Sequence, residues 1–290
     1  MIKGIKKTVS THWMTMYLSS AIPAHQLFTS KSKMRWSSLV IFCFEVYSVY
    51  TCNWLRDVNV TITEIAGNNS FSQLISGCIN DVLFPNETVK VLLIRNQDIK
   101  FLGENTVKKM ETLETLSFWG CPIENITPNL VHQAPNLKNF QISYGNIKKL
   151  PNGAFNNLPA LELLRIHNNR INLIEDRSLT NLRNLKRIHA DNNKLEIWKR
   201  EWFTNTTNLE VLNFQVNRIS EIPRRAFENL HKLTEIYFDF NKISTIHPEA
   251  FKGIRKLNYL GLRYNQLAEI KGDIFPDKLD ISYQKNYSKR

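Results

Sequence analysis

The stretch LEVLNFQVNRISEI, residues 209–222, carries an irregular rhythm of apolar residues that specifies how this chain folds. The rhythm fits neither the stripe of an amphipathic helix nor a strand long enough to stand alone. It occurs eight times at a constant spacing, without an insertion. The repeats begin at Val89, Leu113, Leu137, Leu161, Leu185, Leu209, Leu233 and Leu257.

Within each repeat, positions 1, 4, 6 and 11 are almost always apolar, and position 9 is asparagine in the last five repeats. Position 9 is occupied in order by Gln97, Cys121, Gly145, Asn169, Asn193, Asn217, Asn241 and Asn265. Alternating apolar residues at positions 4 and 6 predict a short strand with one buried face. Because one repeat cannot cover its own apolar face, stacked repeats must share a core. An asparagine amide both donates and accepts, so we expect a ladder that pairs buried backbone groups and is weaker in the first three repeats.

The pattern L-x-x-L-x-L-x-x-N-x-L is similar to leucine-rich repeats, and the 24-residue length resembles their "typical" extracellular subfamily. That subfamily includes Toll-type receptor ectodomains, Slit-like guidance proteins and secreted proteins of insect immunity. A second set of equivalent positions, in the return half of the repeats, supports the resemblance. It is phenylalanine except for one leucine, Leu179, and the phenylalanines are Phe155, Phe203, Phe227, Phe251 and Phe275. The resemblance implies an α/β solenoid, a horseshoe whose short parallel strands line the concave face and bind ligands there.

The chain divides into five predicted segments. Residues 34–51, MRWSSLVIFCFEVYSVYT, have the layout of a signal peptide, with a short positive start and an apolar run. Because residues 1–33 precede this segment, either Met34 is the true start or the segment is a signal anchor, and a buried strand is a further alternative. We predict a disordered N-terminal extension at 1–33, a cap at 52–88, repeats with a partial ninth at 89–281, and a tail at 282–290.

Three cysteines remain if the leader is removed with Cys43. Cys52 and Cys78 both precede the repeats and are the natural disulfide pair in a secreted chain. Cys121 is predicted to be a buried member of the position 9 column, with a reactive thiol or an intermolecular disulfide as alternatives. Sequence motifs for N-glycosylation agree with a secretory route. We predict glycans at Asn59, Asn68, Asn86 and Asn205, whereas the motif at Asn125 is weakened by Pro128 and another lies in the tail at Asn286.

Positions between the leucines project from the concave face and are the candidates for recognition. The C-terminal repeats place four aromatics, an arginine and an aspartate there, a composition typical of interface hot spots. These residues are Tyr237, Asp239, Phe240, Tyr259, Arg263 and Tyr264. The middle repeats place a basic group there that suits an acidic ligand: Arg165, His167, Arg187 and His189. Packing among the aromatics, and a merely solvated basic surface, are the alternatives.

The sequence favours a binding protein over an enzyme. It contains no nucleophile elbow, phosphate-cradling glycine loop or HExxH motif, and no metal or cofactor site is predicted. The formal net charge is +12, but no run of like charge suggests a nucleic-acid arm, so we expect no nucleic-acid partner. We expect a secreted protein that recognises a protein, microbial or glycan ligand in innate immunity or adhesion, and assembly into a homo- or hetero-oligomer stays open. A membrane contact is expected only if the leader is uncleaved.

Two alternatives to this function stay open: a matrix component and an intracellular scaffold. The sequence also departs from the resembling subfamily at both ends. Their N-terminal caps often have four cysteines, and their C-terminal caps are usually cysteine-rich, yet no cysteine follows Cys121. The last residues read DKLDISYQKNYSKR, inside a ninth repeat. We expect a truncated product, a partner that covers the last repeat, or an incomplete gene model.

Overall fold

The computed structural model describes residues 55–64, 70–84 and 88–268. Short strands dominate, and the helical segments among these residues are 3-10 turns at Asp81–Leu83 and Arg200–Phe203. The strands are β1 (Val58–Glu64), β2 (Ser70–Ile75), β3 (Val89–Arg95), β4 (Phe101–Leu102), β5 (Val107–Lys108), β6 (Thr115–Trp119), β7 (Asn125–Ile126), β8 (Val131–His132), β9 (Asn139–Ser143), β10 (Lys149–Leu150), β11 (Leu163–Arg165), β12 (Leu173–Ile174), β13 (Arg187–His189), β14 (Val211–Asn213), β15 (Glu221–Ile222), β16 (Glu235–Tyr237), β17 (Thr245–Ile246) and β18 (Tyr259–Gly261).

Ten strands form one sheet in the order β18-β16-β14-β13-β11-β9-β6-β3-β1-β2. From β3 to β18 the sheet is parallel, each of the eight repeats contributes one strand, and equivalent positions of successive repeats pair, as Leu164 does with Ile188. The antiparallel hairpin β1–β2 pairs with β3 and covers the N-terminal end of the parallel sheet. The predicted fold class, a solenoid of short parallel strands, is confirmed. Its return segments are turns, 3-10 helices and two-residue strands such as β10–β12.

The core is one continuous apolar column between the sheet and the return segments. Positions 4 and 6 of each repeat point into it, so Leu212 and Phe214 of the quoted stretch are fully buried. Position 11 closes the same layer, as Ile219 does in that repeat. Since each strand shares this layer with the next, every internal repeat depends on two neighbours for its core.

The asparagines at position 9 form the expected ladder. Oδ1 of Asn217 accepts from the backbone N–H of Leu195 at 3.0 Å, and its Nδ2 donates to the carbonyls of Ala190 at 3.0 Å and Phe214 at 3.1 Å. The same bonds recur at the other four asparagines, so each side chain links its own turn to the preceding one. These members are Asn169, Asn193, Asn241 and Asn265.

Cys121 occupies the same place in the second repeat and is buried, as predicted. Its thiol lies 3.8 Å from the carbonyl of Ile94, which is the counterpart of the asparagine contact but far weaker. Burial also raises the pKa of the Cys121 thiol, which suits a structural rather than a reactive cysteine. The strands of the first three repeats are longer than those of the later repeats, seven or five residues against three. Strand pairing is therefore more extensive where the side-chain ladder is weak.

The fifth repeat carries two tryptophans in its return segment, and both are buried. The ring of Trp198 lies 5.1 Å from those of Phe214 and Phe238 and 5.3 Å from that of Phe227, measured between centroids. Its Nε1 donates to the carbonyl of Ala226 at 3.0 Å. Trp198 therefore joins the core of three successive repeats.

A row of alternating charge runs along position 2 of the first six repeats. In order it reads Lys90, Glu114, Lys138, Glu162, Lys186 and Glu210. Glu114 pairs with the lysine on either side, at 3.0 Å and 2.9 Å, and Glu162 pairs with Lys186 at 2.9 Å. These partly exposed pairs lower the pKa of Glu114, although each pair adds little stability to the fold. The alternation places charges of opposite sign next to each other in neighbouring repeats.

Several predictions fall partly or wholly outside the described residues. The extension 1–33, the leader 34–51 and the tail 282–290 lie outside them, as do Cys52, Asn68 and Asn86. Cys78 is buried and disulfide-bonded, but its pairing with Cys52 stays a prediction. Among the described residues, no helix has the length and apolar character needed to cross a bilayer.

Candidate functional site

The exposed side of the ten-stranded sheet, here called the sheet face, is built from positions 3, 5, 7 and 8 of each repeat. Positions 4 and 6 point into the core, so the alternation of a strand directs positions 3, 5 and 7 outward. Position 8 follows the strand, just before the ladder asparagine. The sheet face therefore presents one strip of side chains per repeat, and strips one repeat apart in sequence are adjacent in space.

The structure brings the four predicted C-terminal aromatics together as two pairs. The ring centroids of Tyr237 and Tyr259 are 4.5 Å apart, and those of Phe240 and Tyr264 are 4.3 Å apart and stacked, at 13° between planes. The hydroxyl of Tyr237 donates to the carboxylate of Glu235 at 2.7 Å. Burial and this carboxylate raise the pKa of Tyr237, so the phenol stays protonated at physiological pH.

Position 8 adopts a left-handed backbone conformation in every repeat, with φ between 52° and 67°. Asparagine and glycine tolerate this conformation best, and they fill position 8 in four repeats, at Asn96, Gly120, Asn168 and Asn192. In the other four repeats the residue is aromatic or β-branched, at Tyr144, Val216, Phe240 and Tyr264. Left-handed φ is unfavourable for such side chains, so these four repeats hold local backbone strain.

Three of these strained residues, Val216, Phe240 and Tyr264, occupy consecutive repeats and are called the apolar ridge below. They are 42%, 51% and 54% exposed, and the backbone N–H of Val216 donates to Asp239, next to Phe240. Sequence reasoning missed Val216, because a single valine among polar residues carries no signal. Comparison of position 8 across the repeats carries the signal. Asparagine or glycine at this position in other repeats indicates a left-handed backbone conformation.

Asp239 was predicted to contact a ligand, but the structure gives it a structural position. Its side chain is buried, and its carboxylate accepts from the backbone N–H of Arg263 at 2.9 Å. The carboxylate fills the space that a Cβ on Gly261 would occupy. Asp239 therefore ties the ends of two strands beneath the aromatic pairs, while the side chain of Arg263 remains exposed at the rim.

A second aromatic group lies nearer the N-terminus. The ring of Trp119 is 5.0 Å from that of Tyr144, which in turn lies 5.5 Å from the imidazole of His167. Trp119 is 37% exposed and Tyr144 is 49% exposed. The sheet face thus has aromatic surfaces on both sides of its middle repeats.

The four predicted basic residues come together in those middle repeats. Arg165 lies directly opposite His189 in the paired strands, and Arg187 is two residues before His189. Burial and the charge of Arg187 lower the pKa of Arg165, and burial lowers the pKa of both His167 and His189. Asp191 opposes this effect at both imidazoles. Among the described residues, the ion pairs involve neither Arg165 nor Arg187, so both guanidinium groups face the surface without a carboxylate.

Two of the predicted glycosylation sites lie within the described residues, and both are exposed. The backbone N–H of Asn59 donates to Oε1 of Gln97 at 2.9 Å, and Nδ2 of Asn205 donates to Oδ1 of Asn181 at 2.9 Å. Neither site lies in the middle or C-terminal part of the sheet face. Glycans at these positions, which stay a prediction, would therefore leave the apolar ridge open.

Comparison with known proteins agrees with this architecture. The model of the family described as leucine rich repeat matches residues 135–195, 198–240 and 207–267. No curated protein sequence matches the chain.

Two solved structures are similar to the chain. A crystal structure of a TLR13–ssRNA13 complex has a TM-score of 0.59 and 26% identity, and the similarity covers 64% of this chain and 27% of that one. A crystal structure of the mouse RP105/MD-1 complex has a TM-score of 0.54 and 25% identity, covering 60% of this chain and 30% of that one. This chain therefore spans less than a third of either structure. Since one of them is a complex with ssRNA13, the predicted absence of a nucleic-acid partner has no support.

Proposed function

Because the chain folds as a leucine-rich repeat solenoid, we propose that it is a recognition protein that binds a protein ligand through its sheet face. The apolar ridge is the observation that carries this proposal. Its three residues extend over adjacent strands, and beside them lies the pair formed by Tyr237 and Tyr259. Clustered exposed aromatics of this kind mark protein interfaces, where tyrosine and other rings supply most of the binding energy.

The ridge is unfavourable to the fold in two separate ways. Left-handed backbone costs about 1–3 kcal/mol at a residue that does not favour it, and exposed apolar side chains gain nothing from burial. The sequence has a simple alternative, because Asn168 and Asn192 occupy the same position in preceding repeats. Strained backbone positions are typical of functional surfaces, and the side chains of these three residues stay about half exposed. Ligand contact explains why these repeats carry Val216, Phe240 and Tyr264 instead.

The structural comparisons support ligand binding in general. RP105 is solved with MD-1, whereas TLR13 is solved with ssRNA13, so both similar structures are complexes. An aromatic C-terminal surface with the carboxylate of Glu235 beside Tyr237 suits a protein better than a polyanion, because a carboxylate repels phosphate. The resemblance to Toll-type and insect immune proteins extends the proposal to innate immunity or adhesion.

The ridge is tested by replacing Phe240 and Tyr264 together with asparagine, which suits left-handed φ. The full chain is used to capture binding proteins from native extracellular fluid, and the dissociation constant is then measured with the identified protein. We expect the double variant to weaken binding at least about 30-fold, the effect of losing about 2 kcal/mol at a hot spot. Its thermal midpoint should be unchanged or higher, because backbone strain is relieved.

The matched control is Leu173→Asn with Ile197→Asn. Both residues are exposed, at 44% and 61%, and both lie in return segments away from the sheet face. This control removes a similar amount of exposed apolar surface, so it should leave the dissociation constant unchanged. Equal affinity for the ridge variant and the wild type, or equal losses in both variants, would contradict the proposal.

We also infer that the protein is secreted. The leader-like segment at 34–51 and the exposed glycosylation motifs at Asn59 and Asn205 support this route. Expression of the full chain in a secretory cell line should yield a glycosylated product in the medium whose N-terminus lies near residue 51. N-terminal sequencing and intact mass give the result, before and after enzymatic deglycosylation. A chain retained in the cytosol, unglycosylated and starting at Met1, would contradict secretion.

A further inference from the structure

The middle of the sheet face is a second chemically distinct surface. Arg165, His167, Arg187 and His189, on the neighbouring strands β11 and β13 and just beyond them, are called the basic patch below. Strand register places Arg165 beside His189 and Leu163 beside Arg187. Asp191 lies at the rim, where its carboxylate accepts from the amide of Asn213 at 3.1 Å.

We propose that the basic patch binds an acidic side chain of the protein ligand, and that this contact strengthens as the pH falls from about 7.5 to about 5.5. This inference rests on the proposed function, because it names the chemistry of one part of the same ligand. The apolar ridge, which begins in the next repeat along the sheet, would hold the apolar part of that ligand.

The unpaired guanidinium groups explain why an anion is expected. Charged groups that lose water without gaining a partner are costly, and Arg165 shows this cost in its lowered pKa. Most basic side chains of the neighbouring position 2 row are neutralised, as Lys186 is by Glu162 at 2.9 Å. A carboxylate between Arg165 and Arg187 would restore the missing partner. Guanidinium groups hold carboxylates in bidentate geometry and lose little freedom in doing so.

The size of the patch favours an isolated carboxylate over a polyanion. With neutral histidines, Arg165 and Arg187 against Asp191 leave one net positive charge, which matches one carboxylate. A polyanion backbone instead requires positive charge along a continuous track. Here the repeats that contain β9 and β14 carry uncharged residues at positions 3, 5 and 7, and one of them, Ser143, is buried. The others are Asn139, Gln141, Val211, Asn213 and Gln215.

The two imidazoles give the contact its pH dependence. Burial lowers the pKa of His167 and His189, and the charge of Arg165 lowers both further, so both rings are mostly neutral near pH 7 in the free protein. The amide of Asn168, which donates to Nδ1 of His167 at 2.8 Å, fits a neutral ring. A bound carboxylate favours the imidazolium form and raises these pKa values, so binding takes up protons.

The sign of the pH effect follows from the groups that face the patch. Apart from its own arginines and Asp191, the charged groups at its border are Glu162 and Lys186, which are paired, while β9 and β14 contribute none at the outward positions. Protonation of the histidines at lower pH therefore adds positive charge that faces the ligand carboxylate. For each unit by which the bound carboxylate raises the pKa of a histidine, the affinity at low pH increases up to about tenfold. This increase ends where the carboxylate of the ligand is itself protonated, near pH 4.

A labelled glycine-rich peptide with a single aspartate is the probe, and the same peptide with asparagine in its place is the uncharged control. Fluorescence anisotropy with the full chain gives dissociation constants at pH 7.5 and pH 5.5. We expect the aspartate peptide to bind at least about threefold more tightly at pH 5.5, and the asparagine peptide to bind weakly at both pH values. Arg165→Gln with Arg187→Gln should weaken aspartate peptide binding at least about tenfold at both pH values.

The histidine variant separates protonation from packing. His167→Gln with His189→Gln should keep the affinity at pH 7.5 and lose the increase at pH 5.5. Arg170→Gln is the matched control for charge, because Arg170 is exposed in the same repeat but lies beyond the sheet face. It should leave both dissociation constants unchanged. Circular dichroism and thermal melting verify that each variant is folded.

Three outcomes would overturn the inference: equal binding of the two peptides, equal effects of Arg170→Gln and the arginine pair, or a pH effect that survives without both histidines. A labelled single-stranded oligonucleotide and heparin are measured in parallel. Tighter binding of either one through Arg165 and Arg187 would also overturn it, in favour of a polyanion. Peptide binding with no effect of the ridge variant on ligand capture would instead refute only the proposed function.

Discussion

Replacing Trp198 by alanine should lower the free energy of unfolding by about 3–5 kcal/mol, as large aromatic truncations in cores do. The indole is buried against Phe214, Phe227 and Phe238, so its removal leaves a cavity between these rings. The change also leaves the carbonyl of Ala226 without the donor at 3.0 Å. Because Trp198 joins three repeats, the loss should extend beyond the fifth repeat.

Urea denaturation followed by circular dichroism gives the free energy of unfolding for this comparison. The control is Ile197→Ala, a change in the preceding residue, whose side chain is 61% exposed and should cost little. If Trp198→Ala cost no more than Ile197→Ala, the aromatic core of the fifth repeat would not hold neighbouring repeats together.

Asn217→Ala should destabilise the fold by about 1–3 kcal/mol, although it removes only a small polar side chain. The variant leaves the buried N–H of Leu195 without its acceptor at 3.0 Å. The carbonyls of Ala190 and Phe214 each lose one donor but keep another, the side-chain amide of the adjacent ladder asparagine. A buried polar group without a partner costs about 1–3 kcal/mol. One group of this kind, the N–H of Leu195, accounts for the expected range.

Asn172→Ala is the control for the ladder, since Asn172 is an exposed asparagine in a return segment. Its effect on the free energy of unfolding should stay within about 0.5 kcal/mol. Hydrogen exchange adds a local measurement, because the amide of Leu195 should lose protection in Asn217→Ala and keep it in Asn172→Ala. Unchanged protection at Leu195 would show that the ladder bond contributes nothing there.

The fold was predictable because residues at the same position of every repeat have the same physical task. Positions 4 and 6 fill the core, and position 9 pairs buried backbone groups. Leu212 and Phe214 are buried as their alternation required, and Asn217 makes the ladder bonds expected of a buried amide. Cys121 also takes its predicted buried place. Similar residue types recur at a fixed spacing, so a single sequence shows the same pattern in eight repeats.

The sheet face was less predictable, because its residue types do not recur at equivalent positions of successive repeats. The pairing of Tyr237 with Tyr259 depends on strand register, which the repeat supplies, whereas the burial of Asp239 depends on the missing side chain at Gly261. Val216 was overlooked because backbone conformation is invisible in a single repeat. Comparing position 8 across repeats, where Asn192 precedes Val216, reveals both the left-handed site and the departure from it.

The basic patch shows a different limit of sequence reasoning. Arg165 and Arg187 were predicted to lie together, and strand pairing brings them to adjacent strands. Their lack of ion pairs among the described residues depends on which carboxylates lie nearby. Glu162 is close in sequence but is occupied by Lys186. Partner choice of this kind requires three-dimensional distances, which the sequence does not contain.

The alternating charges at position 2 bear on how such a chain can gain or lose repeats over generations. Loss of residues 137–160 would preserve the core and the asparagine ladder, yet it would set Glu114 beside Glu162. Loss of residues 137–184 would instead set Glu114 beside Lys186, an opposite pair like the present one. Like charges on neighbouring strands repel each other. Within the first six repeats, loss of an odd number of repeats therefore carries a small electrostatic cost that loss of an even number avoids.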